Sequence, residues 1–181
     1  MKLYEALGIA PSLALDLEDV KQRFYVRSRQ WHPDKFSRAS AGEQDKALEM
    51  TAVLNDAFRT LRDPISRAEY FLKESGIELA KDAPPELLEE VFELNMALEG
   101  LRGGDESALA QLAEARIKFG VMLATADAEL VVLFAQHHAA PDHATPNQAT
   151  LDQVRATLNR RRYVANLVRD VEKELHVHSA N

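Results

Sequence analysis

The chain of 181 residues contains no cysteine. That absence excludes a disulfide-stapled scaffold, a thiolate zinc site, cysteine ligation of an iron–sulfur cluster and a cysteine nucleophile. A reducing, cytoplasmic setting is expected. Long hydrophobic runs are also missing: the longest strongly apolar run, Leu130 to Ala135, is bounded by Glu129 and Gln136. A membrane helix needs about 18 such residues, so no membrane association is expected. The first ten residues carry Lys2 and Glu5 with no apolar stretch leading to a cleavage site, and do not read as a secretory leader. A basic excess is lacking as well. Net charge is −7, and residues 1–75 carry 12 Lys and Arg against 12 Asp and Glu, which leaves 10 against 17 for residues 76–181. The chain has two electrostatic halves, and the acidic second half argues against nucleic acid as a partner.

What the chain does have is helical periodicity almost throughout, without period-two alternation or hairpin turns, so the fold is expected to be all-α. A short helix from Leu3 to Leu7 ends at Gly8, before Pro11. Asp16 caps a second helix with Leu17, Val20, Phe24 and Trp31 on its apolar face, and Pro33 stops it. After a loop over Lys35 to Ala39, Ser40 and Glu43 form an S-x-x-E capping box opening a third helix, with Ala47, Met50, Leu54, Ala57, Phe58 and Leu61 on one face. The second and third helices read as an antiparallel pair. Asp63-Pro64 starts a fourth helix, Ile65 to Ser75, that Gly76 ends. Residues 76–84 read as a linker. A fifth helix runs from Pro85 to Leu101. Asp105 caps a sixth, with Leu109, Leu112, Ile117, Val121 and Leu130 on its apolar side, reaching Gln136. A polar loop over Gln136 to Thr150 leads to a seventh helix, Leu151 to Leu175. The expected division is therefore 1–75, a linker at 76–84, and a three-helix bundle over 85–181.

The sharpest local signal is His32-Pro33-Asp34, preceded by Trp31 and followed by Lys35. Pro33 fixes its own φ and removes a backbone donor, which displays His32 and Asp34 as a polar pair at the tip of the helix hairpin. The bland alternative is an ordinary turn with a capping Asp and a solvent-facing His. A hydrolytic His–Asp pair is a further alternative, but no serine elbow, second carboxylate pair or metal-ligand spacing accompanies it, and the chain is not expected to be an enzyme. On the second helix Lys21, Tyr25 and Arg29 lie at i, i+4 and i+8, with Arg23 and Arg27 on the other flank. This is either a solvated exterior or a face for an acidic partner surface.

In these features residues 1–75 resemble the J-domain family, co-chaperones of the seventy-kilodalton heat-shock chaperones. The resemblance implies that the His32-Pro33-Asp34 loop contacts the chaperone ATPase and promotes ATP hydrolysis there, with no nucleotide or other cofactor bound by this chain; beside that loop Lys21, Arg29 and Lys35 read as part of the same chaperone-binding face rather than as a solvated exterior. Arg67-Ala68-Glu69-Tyr70-Phe71-Leu72, after Leu61-Arg62-Asp63-Pro64, is similar to the segment leaving the J-domain in HscB-type co-chaperones of iron–sulfur cluster assembly. The resemblance then implies two partners, a specialised chaperone of the HscA type and a cluster scaffold protein of the IscU type, the latter held by the C-terminal bundle. An adaptor for a different client protein is the alternative.

Between residues 82 and 99 lie Asp82, Glu86, Glu89, Glu90, Glu93 and Glu99 with no Lys or Arg, beside an i, i+4, i+8 stripe of Leu88, Phe92 and Met96. Such a stripe is either core or an apolar patch rimmed by carboxylates. The resemblance places scaffold contacts at Leu88, Glu89, Phe92, Glu93 and Met96, with Tyr163 near the same surface. The register of this helix stays open by one residue, since Glu89 falls where an apolar side chain is expected. His137, His138 and His143 could ligate a metal, but their irregular spacing reads as a linker and no metal is expected. Arg160-Arg161-Arg162 could touch nucleic acid, and reads better as a solvated face or a counter-charge for the acidic fifth helix.

Overall fold

In the computed structural model, residues 2–79, 83–138 and 148–179 are described, and among them every regular element is a helix. The α-helices are α1 (Lys2–Leu7), α2 (Leu17–Gln30), α3 (Ala41–Arg62), α4 (Pro64–Glu74), α5 (Leu88–Arg102), α6 (Ala108–His138) and α7 (Gln148–Ser179), with single 3₁₀ turns at Pro33–Phe36 and Pro85–Leu87. The chain forms two compact units, Met1–Glu78 with Phe134–Leu151, and Leu79–Leu133 with Asp152–Asn181. The first unit therefore takes in the last turn of α6 and the first turn of α7, a segment that the sequence reading assigns to the bundle.

The first unit is organised around the α2–α3 hairpin. Asp16 caps α2 by accepting from the Glu18 amide at 2.9 Å. The expected box opens α3: the Glu43 carboxylate accepts from the Ser40 amide at 2.9 Å and from its hydroxyl at 2.6 Å. Phe24 stacks on Phe58 with centroids 4.4 Å apart, while Trp31 at the other end meets Thr51, so the two helices run antiparallel. Val20, Ala47, Leu54, Ala57 and Leu61 are buried as expected. Leu17 is not: it is 52% exposed in the first turn of α2. Tyr4 of α1 is fully buried against Tyr70 and Phe71 of α4.

Arg67 ties this unit together. Its side chain is buried, and its guanidinium donates to the Leu13 carbonyl at 2.8 Å and the Leu61 carbonyl at 2.7 Å. Burial lowers its pKa, opposed by the nearby Tyr4 and Asp63. Burial in turn raises the pKa of the Tyr4 phenol, whose hydroxyl donates to the Ser12 carbonyl at 2.9 Å. The segment Arg67 to Leu72 is thus a structural clamp, with Ala68, Phe71 and Leu72 filling the core beside the guanidinium.

In the second unit α5, α6 and α7 share one core of Leu87, Leu94, Ala97, Leu101, Ala108, Leu112, Phe119, Val164, Leu167 and Val171. Gly104, at φ +90°, makes the sharp reversal after α5 that a side chain would strain. Asp105 does not cap α6 directly: its carboxylate accepts from the Ser107 amide and hydroxyl, and α6 begins at Ala108. Two positions expected in the core of α6 lie outside it, Ile117 at 64% and Val121 at 63% exposure. The helix is apolar on both sides, so periodicity alone does not choose the buried one. The arginine run also differs in detail from expectation: Arg160 pairs with Glu129 and Arg161 with Asp127, both on α6. Arg160 and Arg161 are counter-charge for the sixth helix rather than the fifth, and Arg162 donates to Asn159 of its own helix. The polar loop narrows, because α6 reaches His138 and α7 starts at Gln148. His143, like Asp82 in the linker, lies outside the described residues.

Candidate interaction surfaces

The hairpin tip is built by its neighbours. His32 is the N-cap of the 3₁₀ turn, and its Nδ1 accepts from the Asp34 amide at 3.3 Å while lying 3.5 Å from the Asp34 carboxylate. Both contacts of Nδ1 are with Asp34, so the imidazole and the carboxylate are held together at the tip. Both are exposed, the side chains at 58% for His32 and 90% for Asp34.

Behind the tip, Trp31 stacks on Phe36 with centroids 5.8 Å apart and planes 9° from parallel, and the Lys46 ammonium sits 5.8 Å above the indole. The Thr51 hydroxyl lies 2.8 Å from the Ala47 carbonyl and 3.1 Å from that of Trp31, so its one proton is shared between its own helix and the tip. Pro33, half-buried, starts the turn. Lys35 and Arg29 are exposed, and Lys21 lies 3.6 Å from Glu18 while half of its side chain stays open. Arg23 differs from these: it is held by Asp19 and donates to the Gly8 carbonyl at 2.7 Å, which makes it part of the scaffold. Sequence reading missed Phe36, Lys46 and Thr51 as holders of the tip. Their partners are distant or at non-helical spacing, so no local pattern marks them.

On α5 the structure resolves the register. Leu87, Leu94, Ala97 and Leu101 are buried, whereas Leu88, Phe92 and Met96 are exposed at 58%, 66% and 56%. Glu89 is solvent-facing, and the anomaly that kept the register open is removed. Phe92 and Met96 line a groove of about 600 Å³ between α5 and α6, whose far wall is Gln111, Glu114 and Lys118. Lys118 bridges the acidic rim, 3.6 Å from Glu90 and 3.8 Å from Glu93. The other Glu90 oxygen, Oε2, is buried without a hydrogen-bond partner. Lys118 and Glu114 escaped sequence reading, because only the packing of α6 on α5 brings them there. Tyr163 is half-buried and packs against the shared core.

Residues 2–70 match the DnaJ domain family, so the first unit contains a J-domain. Over 120 residues the chain is 37% identical to the co-chaperone protein HscB homolog of Shewanella halifaxensis, covering 62% of this chain and 68% of that one. The chain belongs to the HscB family of J-domain co-chaperones. The HscB homolog of Neisseria meningitidis is 41% identical over 104 residues, 54% of this chain and 61% of the relative's length, so that match spans about three fifths of the relative. The structure of chaperone HscB from Vibrio cholerae superposes with a TM-score of 0.63 at 29% identity, over 96% of both chains. No described helix is long and apolar enough to cross a membrane, and no group of three or more His, Asp or Glu among the described residues could hold a metal ion.

Proposed function

We propose that this chain is a co-chaperone without catalytic activity of its own, acting in the cytoplasm on a seventy-kilodalton chaperone of the HscA type and on an iron–sulfur scaffold protein of the IscU type. The observation that carries the reading is the pairing of two unlike exposed surfaces on one chain. The hairpin tip, with His32, Pro33, Asp34 and Lys35 beside Lys21 and Arg29, offers an exposed imidazole and cations to an acidic ATPase surface. The α5 stripe of Leu88, Phe92 and Met96, rimmed by Glu89 and Glu93, suits a partner with exposed apolar side chains and basic flanks. Tyr163, half-buried against the bundle core, enters this reading as a further scaffold contact. In functional terms the division falls at the linker 76–84, with chaperone activation before it and scaffold binding after it.

Holding the scaffold beside the chaperone raises its effective concentration there, while the J-domain favours the hydrolysis step that locks it on. The cluster is cargo of the scaffold, and this chain supplies no cysteine to it. Binding of purified scaffold to the full chain and to Phe92→Ala is the test. Affinity in the micromolar range or better, weakened at least tenfold in the variant, supports the reading. Absence of binding by the native chain favours an adaptor for a different client.

A further inference from the structure

The outer face of α6 belongs to neither surface. Ile117, Val121, Ala124, Ala128 and Val131 follow one another at spacings of 4, 3, 4 and 3, and all five are exposed, Ile117, Val121 and Val131 by 63% to 66%. Val132, at 55%, and Gly120 flank them. The core side of the same helix is formed by Phe119, Ala126 and Leu130. A helix apolar on both sides is one that packs on both sides. Each charged residue within 117–132 is turned to a neighbouring helix: Lys118 to Glu90 and Glu93, Asp127 to Arg161, Glu129 to Arg160. The stripe itself carries no charge over about 21 Å of helix.

We infer that this face pairs with the same face of a second copy of the chain, as an antiparallel helix pair about a twofold axis near Ala126. The 4-3-4-3 spacing is that of a coiled-coil seam. Read against itself in reverse, four of the five residues match: Ala124 falls opposite Ala128 of the second copy and Val121 opposite its Val131, with Ile117 beyond the matched stretch. An isologous twofold contact requires that match. Small residues at the centre let the backbones approach closely, and the larger side chains close the seam at each end. Charge favours a second copy over the proposed partners, since those are addressed by a cationic tip and an acidic helix whereas this stripe offers neither sign. It also lets two chains of net charge −7 meet without a like-charge contact. The pair would cover on the order of 1,000 Å² in total, near the lower limit for a specific interface, so the dimer is weak and concentration-dependent. This inference does not depend on the co-chaperone reading.

Sedimentation velocity on the full chain over a micromolar to millimolar series tests it. The native chain is expected to shift from monomer to dimer, and Val121→Glu, with helix content unchanged by circular dichroism, to stay monomeric throughout. Ala124→Glu and Ala128→Lys, each monomeric alone, are expected to form a mixed dimer when combined, because 124 of one copy faces 128 of the other. A native chain monomeric at every concentration, a Val121→Glu chain that dimerises like the native, or a mixture that stays monomeric overturns the proposal.

Discussion

Arg67 shows how much one side chain contributes when it satisfies two buried carbonyls at once, those of Leu13 and Leu61. Replacing it by Ala leaves both without a partner and opens a void. Arg67→Ala is expected to lower the stability of the first unit by about 2–3 kcal/mol, measured by urea titration, with Arg67→Lys recovering only part of it, since an ammonium lacks the fork. A loss below about 0.5 kcal/mol would mean that water replaces the guanidinium at little cost. Gly8 makes a smaller contribution of another kind. At φ +64° an added Cβ sits 2.4 Å from the end of the flexible Arg27 side chain, which can move, so backbone strain of about 1 kcal/mol is the expected cost of Gly8→Ala. At this scale the sequence was legible where a residue type carries its own geometry, as with Pro33 and Gly8. Arg67 was visible only as part of a similar segment, since nothing local shows that its charge is buried.

Among the elements, α3 begins with a titratable device. The Ser40 hydroxyl and amide both donate to Glu43 and hold its pKa below the ordinary 4.5. A carboxylate depressed in the folded state stabilises it above the unfolded value, and that contribution is lost as pH falls through the folded one. Fraying of the first turn of α3 is therefore expected only in acid, below the ordinary glutamate range. A nuclear magnetic resonance titration of Glu43 should move toward the ordinary value in Ser40→Ala without reaching it, because the hydroxyl is lost and the amide stays; an unchanged titration would show that the hydroxyl does not contribute to the shift. At the start of α5 the contrast is between a buried and an exposed side chain. Leu87→Ala is expected to cost about 2–5 kcal/mol, as for a fully buried leucine, while Phe92→Ala, 66% exposed, should leave stability unchanged and impair only binding. Helix order and type were legible from caps, Gly and Pro. The buried side of α6 was not, because Ile117 and Val121 satisfy the same periodicity as Phe119 and Leu130. On α5 Glu89 confused the register until packing showed Leu87 inside and Leu88 outside.

For the whole molecule, the balanced charge of residues 1–75 and the acidic excess beyond them correspond to two surfaces of different chemistry, one at the hairpin tip and one on α5. The His32-Pro33-Asp34 tip was readable because its chemistry is contiguous in the chain, whereas Lys118 and the Trp31 supports depend on contacts between elements and were not. In the proposed function one chain couples these two surfaces. Single-turnover ATP hydrolysis by the cognate chaperone tests it, with this protein and the scaffold added separately and together, and with His32→Gln in place of the native chain. Joint stimulation well above either addition alone is expected, abolished by His32→Gln although that variant still binds the scaffold. Stimulation by this protein that the scaffold does not increase, or that survives in His32→Gln, would contradict it.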